Sequence, residues 1–272
     1  MNSSSIEQLV TEKGVARAAR QAVLGALGGD FSVDPIVGAA MSRCFSVIGS
    51  LIQRHGLLIQ RTLADALVAS GRFDVFSNIQ IPLTEAANDL LASRNAPGNL
   101  AKIRLQSDSR AVRMVTLDLL VVEPEVGWAG GYDVKRGNGA TDSRKRRPQE
   151  HDLKGVGMVL ADHLVKLGYD RITEVTTGII DYYGLSNFSR EIKILGSELD
   201  EHFGVPVVAH VEALTEALRT ALHAELPDLL RPAIQGLPGI AAPFPSPAEA
   251  VSGRVNARPV GPGPRRAAPS GH

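Results

Sequence analysis

The spacing of apolar residues divides the chain into a helical first part, a mixed middle and a tail without period. Over roughly the first 70 residues the apolar positions recur every three or four residues, the signature of helix. Ser3, Ser4 and Ser5 offer N-caps to a first helix ending near Leu27. Its face is Val15, Ala19, Ala22, Val23 and Ala26, and Gly28-Gly29 stops it. A second helical region covers 35–70, with a break expected near Gly56. The period then shortens to two: 73–83 reads as a strand, followed by a short helix at 84–92 capped by Thr84 and a loop, RNAPGNLAK. A further strand is expected at 102–106. The runs 114–122 and 128–136 are also strands, separated by the turn residues Glu123-Pro124-Glu125-Val126-Gly127. The first of these two is apolar on both faces, as a central strand is.

Beyond the hairpin, 151–167 is an amphipathic helix with Val156, Val159, Leu160, His163 and Leu164 on one side and Gly168 at its C-terminus. Then come a strand within 170–183 (ITEVTTGII), a helix at 189–203, a strand at 205–211 and a helix at 212–230. This order predicts an α/β fold, a mixed central sheet flanked by helices, occupying 71–230. Residues 1–70 form a helical N-terminal region leading into it. Residues 231–272, rich in Pro, Gly, Ala and Arg, are expected to be a disordered tail.

Composition narrows the function classes. Hydrophobic residues make up 44% and aromatics only 4%, so the core is aliphatic. The net charge is zero, so no global basic field points to nucleic acid. Cys44 is the only cysteine, which forbids an internal disulfide and suits a reducing compartment. No run of about 18 uncharged apolar residues marks a membrane span. Residues 1–30 lack a signal-peptide core and carry Glu7 and Glu12, so a cytoplasmic location is expected. The histidines lack metal-type spacing, and His163 sits on an apolar helix face where a core role is the commoner one. No G-x-x-x-x-G-K-[ST] loop is present, which removes support for ATP hydrolysis.

The chemistry concentrates in RMVTLDLLVVEPEVGWAGGYDVKRG. Asp118 interrupts an apolar strand, where a charge is costly unless paired or bound to metal. Asp133 and Lys135 share one face of the next strand by its period of two. Positions 118 and 133 are equidistant from the turn, so a hairpin centred there makes them cross-strand neighbours with Cβ atoms roughly 5 Å apart. Gly130-Gly131 offers a place for a bulge that would shift this register by one. Two carboxylates suit one Mg²⁺, with Mn²⁺ able to substitute, leaving positions for water and phosphate. The carbonyl of Val134 is a candidate third donor, and the lysine reaches the same centre to orient water or neutralise charge.

Asp118, Asp133 and Lys135, with 14 residues between the two acids, resemble the PD-(D/E)xK nuclease superfamily. The resemblance spans about half the chain, 56–183. It implies a restriction-endonuclease-like core, metal binding by Asp118 and Asp133, and water activation assisted by Lys135. It further implies a Mg²⁺-dependent endonuclease acting on DNA, one version being a restriction enzyme, and a homodimer by analogy. Leu117 stands where the family name has proline. Gln60 stands where members often carry a glutamate, and is the candidate to orient water or a ligand there.

Two other acid-x-Lys triplets, Asp152-Leu153-Lys154 and Glu191-Ile192-Lys193, fall in stretches read as helix, where positions i and i+2 do not face each other. The basic run after the site is read as a mobile loop placing Arg136, Arg144, Lys145, Arg146 and Arg147 against the phosphate backbone. Gln149 and Lys154 on the following helix are further candidates for nucleic-acid contact. Tyr182 and Tyr183 offer stacking surfaces, though closing the core edge is the commoner role. Two other classes stay open: a nuclease-fold protein that binds DNA or a partner without cleaving, and an unrelated α/β enzyme using Asp118 and Asp133 as general acid and base.

Overall fold

The structure is a computed structural model that describes residues 9–93 and 103–236. Helix α1 (Glu12–Leu27) and the long helix α2 (Gly38–Ala69) lead into strand β1 (Asp74–Thr84) and helix α3 (Glu85–Ala92). Strands β2 (Ala111–Glu123) and β3 (Trp128–Lys135) form the expected hairpin. Helix α4 (Ser143–Lys166), strands β4 (Glu174–Asp181) and β5 (Lys193–Leu195), and helices α5 (Leu199–Phe203) and α6 (Val208–Gln235) follow. The five strands lie in the order β1-β2-β3-β4-β5. β2 is antiparallel to both β1 and β3, while β4 joins in parallel to β3 and β5 in parallel to β4. The fold is therefore the mixed sheet with flanking helices that the residue pattern predicts.

Both faces of the sheet are covered, as the two-sided apolar character of β2 requires. One face carries Leu117, Leu120 and Val122 against Leu153, Val156 and Leu160 of α4. The other carries Leu119, Val121 and Tyr132 against Ile59 and Leu63 of α2, Phe203 of α5 and Val211 of α6. A third cluster joins α1, the first half of α2 and the second half of α6. It gives the N-terminal helices a core of their own. Among the described residues no helix is long and apolar enough to cross a membrane.

Several expected elements differ. α1 begins at Glu12 with Thr11 as N-cap, its side chain accepting from Gly14 N–H; Ser3, Ser4 and Ser5 lie outside the described residues. α2 runs through Gly56 without a break, carried by the burial of Leu51, Ile59 and Leu63 on either side. Residues 103–106 form no strand. Leu105 N–H bonds instead to the carbonyl of Met158 on α4. The RNAPGNLAK loop, which ends at Lys102, is outside the described residues. Residues 189–203 are not one helix. They hold two 3₁₀ turns, the short strand β5 and α5, because β5 pairs in parallel with β4 from Ile179↔Lys193 to Asp181↔Leu195. Residues 205–211 are not a strand. Asp200 Oδ1 accepts from the N–H groups of Val207 and Val208, and this starts α6 at Val208. α6 also continues past Arg231 to Gln235, through Pro227 and Pro232, with Leu229 and Ala233 buried against α1 and α2. Residues 237–272 are not among those described.

Candidate functional site

The site forms where the sheet divides. The β2–β3 ladder runs from Glu123↔Trp128 to Leu119↔Tyr132, the register centred on the turn that the sequence predicts. Asp118 and Asp133 are the next rung, and there pairing stops. Below it β2 continues beside β1 alone, while β3 continues beside β4 to Lys135↔Asp181. The two acids thus stand at the root of a fork.

Each side chain at the fork has a defined job. The N–H of Val134, which β2 no longer meets as backbone, donates to Oδ2 of Asp118 at 2.7 Å. Lys135 Nζ lies 3.9 Å from the same oxygen. Gln149 of α4 donates its side-chain N–H to Oδ2 of Asp133. Gln60 of α2 does not meet the carboxylates. Its Nε2 donates to the main-chain carbonyl of Asp118 at 2.8 Å, so it holds the backbone at the fork from the other face. Asp118 and Lys135 keep partial exposure, whereas Asp133 is buried with 8% exposure. Burial pushes the Asp133 carboxyl above its ordinary range. The Lys135 charge and the Gln149 hydrogen bond oppose that rise, while the negative charges of Asp118 and Asp152 add to it.

On the Asp133 side of the fork lies a cleft of about 400 Å³ between the first half of β2 and the start of α4. Met114, Val115 and Thr116 line one side, Arg144, Lys145, Pro148 and Gln149 the other, with Asp133 at its wall. Arg113 pairs with Asp152 of α4 beside it.

The basic run is placed differently from expectation. Residues 143–147 are not a loop but the first turns of α4, capped by Asp142. Arg144 and Lys145 line the cleft, whereas Arg147 and Lys154 do not. Arg146 is turned away: it donates to the carbonyl of Asn187 at 2.7 Å and lies 3.9 Å from Glu150. Arg136 points to the opposite face of the sheet. Its Nε donates to His55 Nδ1 at 3.1 Å, and its guanidinium stacks over Tyr183. That ring contact also gives Tyr183 an edge-closing role.

Lys193 of the second acid-x-Lys triplet pairs with an acid outside the triplet, Asp181 at the end of β4. Asp181 is fully buried and accepts from Gly184 N–H, Ser186 N–H and Ser186 Oγ, with Lys193 Nζ 3.6 Å away. It fastens the turn after β4. Asp152 and Lys154 lie on α4 as expected.

The donor set fits a hard divalent cation in number and kind. Oδ1 of Asp118 and Oδ1 of Asp133 accept no hydrogen bond among the described residues, and Mg²⁺ commonly takes one or two carboxylates with water completing its shell. Among the described residues no cluster of three His, Cys, Asp or Glu side chains is present, so a protein-only cage is not what these residues build. Sequence reasoning took Gln149 as a substrate contact and missed its bond to Asp133. The one available signal was its place at the start of the helix that follows Lys135. Comparison of the chain with known protein families, with characterised proteins and with solved structures found no match to any of them.

Proposed function

We propose that this chain is a metal-dependent endonuclease hydrolysing DNA phosphodiester bonds. The observation that carries the reading is the meeting of Asp118 and Lys135 beside Asp133, whose side chain lines a cleft that Arg144 and Lys145 also line. Asp118 and Asp133 would hold Mg²⁺ or Mn²⁺, with the Val134 carbonyl as a further donor. When bound, the cation supplies a water of lowered pKa and charge stabilisation at the phosphoryl group. Asp133 must be ionised for this, and the Gln149 hydrogen bond favours that form. Lys135 stands beside Asp118, where its ammonium orients the attacking water or offsets the charge that develops. Arg144 and Lys145 draw the phosphate backbone over the cleft without reading sequence.

Cleavage of plasmid and single-stranded DNA with Mg²⁺ or Mn²⁺ tests the reading. The expected result is metal-dependent cutting by wild type that is lost in folded Asp118→Ala and Lys135→Ala variants. Cutting that persists in both variants, or that needs no metal, overturns it. A second reading, a nuclease-fold protein that binds DNA without cleaving, is favoured by Gln149 occupying an oxygen of Asp133 and by Gln60 standing in place of an acid. It predicts undiminished binding and no cutting under any metal.

A further inference from the structure

Asn78 is the only non-glycine residue among those described with a positive φ, at 54°. It stands opposite Asp118. The β1–β2 ladder pairs Ser77 with Leu119 and Ile79 with Leu117, and omits the rung between them. At that rung the alternation of faces reverses in both strands. On β2, Val115 and Leu117 face the α4 side, yet so do Leu120 and Val122, while Leu119 and Val121 face α2. On β1, Val75 faces the α2 side, whereas Phe76, Ile79, Ile81 and Leu83 all face α4. The register is the same on both sides of the rung, so neither strand gains a residue on the other and this is not a bulge of one strand against its partner.

The reversal decides where the Asp118 carboxylate goes. In a regular strand its side chain would stand perpendicular to the sheet, on one face or the other. The N–H of Val134 lies along the edge of β3, toward β2. At the reversed rung Asp118 leaves the alternation and its Oδ2 meets that N–H. Its carbonyl, free of the ladder, is taken by Gln60. The Asn78 side chain is exposed and makes no hydrogen bond among the described residues. Its contribution is backbone conformation, a left-handed state that Gly and Asn adopt readily and β-branched residues resist.

We propose that Asn78 is a positioning residue for the site: its left-handed backbone sets the paired reversal that turns Asp118 onto β3, beside Lys135 and Asp133. The consequence for metal binding rests on the nuclease reading; the placement of Asp118 does not.

The test compares wild type with Asn78→Gly, Asn78→Ala and Asn78→Val by residue-resolved amide hydrogen exchange without metal and by calorimetric titration with Mn²⁺. In Asn78→Val the Val134 amide is expected to exchange at least tenfold faster and Mn²⁺ to bind at least tenfold more weakly. The ladder amides of the β2–β3 hairpin are expected to keep wild-type protection. Asn78→Gly is expected to keep all three properties, and Asn78→Ala to fall between. Should Asn78→Val fail to fold, Asn78→Ala carries the comparison. Wild-type exchange at Val134 in the Val and Ala variants overturns the proposal. So does loss of protection in Asn78→Gly, which would make the side chain and not the conformation responsible. If wild type binds no Mn²⁺ and cuts no DNA, the nuclease reading fails, and Val134 exchange alone decides the role of Asn78.

Discussion

Gln149 hydrogen-bonds Asp133 from across the cleft, tying the start of α4 to the end of β3. The bond gives a buried carboxylate a neutral donor. It also opposes the burial that pushes the Asp133 carboxyl upward.

Asp133→Asn separates stability from activity. The folded-state pKa of Asp133 is raised, so between its ordinary value and the raised one the folded protein binds more protons than the unfolded chain. Stability therefore falls as pH rises through that window, because ionising the buried carboxyl weakens the fold. The amide is expected to raise stability by on the order of 1 kcal/mol while abolishing metal-dependent cleavage. Thermal melting at pH 7 beside a cleavage assay checks this; a lower melting temperature would count against a buried carboxylate whose ionisation costs stability.

Lys135→Ala is expected to cost activity with little change in stability. The Lys135–Asp118 pair is partly exposed and spans 3.9 Å, so its loss costs about 0–1 kcal/mol of stability. Cleavage is expected to fall by roughly 10²–10³, the scale for removing one charge-stabilising group. Melting and cleavage of the variant are measured side by side, and full activity would leave the lysine without a catalytic part.

His55 predicts a pH limit on the fold. Burial, and secondarily the Arg136 charge, lower its pKa from 6.5 to about 4. Its Nδ1 accepts from Arg136, so Nε2 carries the proton and bonds to Thr215 Oγ1, 3.1 Å away. As pH drops from 6.5 toward about 4 the unfolded chain takes up a proton that the folded chain resists, and stability declines. Urea unfolding at pH 7, 6 and 5 is expected to show this slope in wild type and a shallower one in His55→Gln. Identical slopes would remove His55 as the cause.

Gly137→Ala strikes the support of the site. Gly137 has φ 71°, and a Cβ there would collide with Oδ1 of the buried Asp181. The substitution is expected to destabilise by about 2 kcal/mol or more, read by urea unfolding. Asp181 is the sheet partner of Lys135, so loss of activity should accompany it. A variant as stable as wild type would mean that the turn after β4 yields freely.

The hairpin is the most legible part of the chain. Two acids placed symmetrically about a turn, in strands of period two, point to the register, and the ladder runs through Gly130 and Gly131 without the bulge that would have shifted it. Features made by tertiary partners are the ones the residue pattern does not carry. The basic run 143–147 reads as a loop because cations at a helix start oppose the dipole and Pro148 interrupts the pattern. The Asp142 cap and the grip of Arg146 on Asn187 make it helix. Val205 and Val207 read as strand, yet Asp200, several residues upstream, supplies the cap that begins α6. β5 is three residues long and exists through its pairing with β4. The reversal at Asn78 leaves no mark on the apolar pattern beyond two polar residues in a row, Ser77 and Asn78.

The fork has a cost for solubility. By parting from β3, residues 111–117 of β2 become a sheet edge inside the molecule's own cleft, with one side of their backbone unpaired by any described strand. The segment AVRMVTL is rich in β-formers, and Val112 and Met114 are exposed. Such an edge invites another chain to add itself. Arg113 is the single charge within it, held by Asp152 across the cleft mouth. A charge at such a position is what blunts strand addition in natural sheets, and the Arg113–Asp152 pair holds one at this edge.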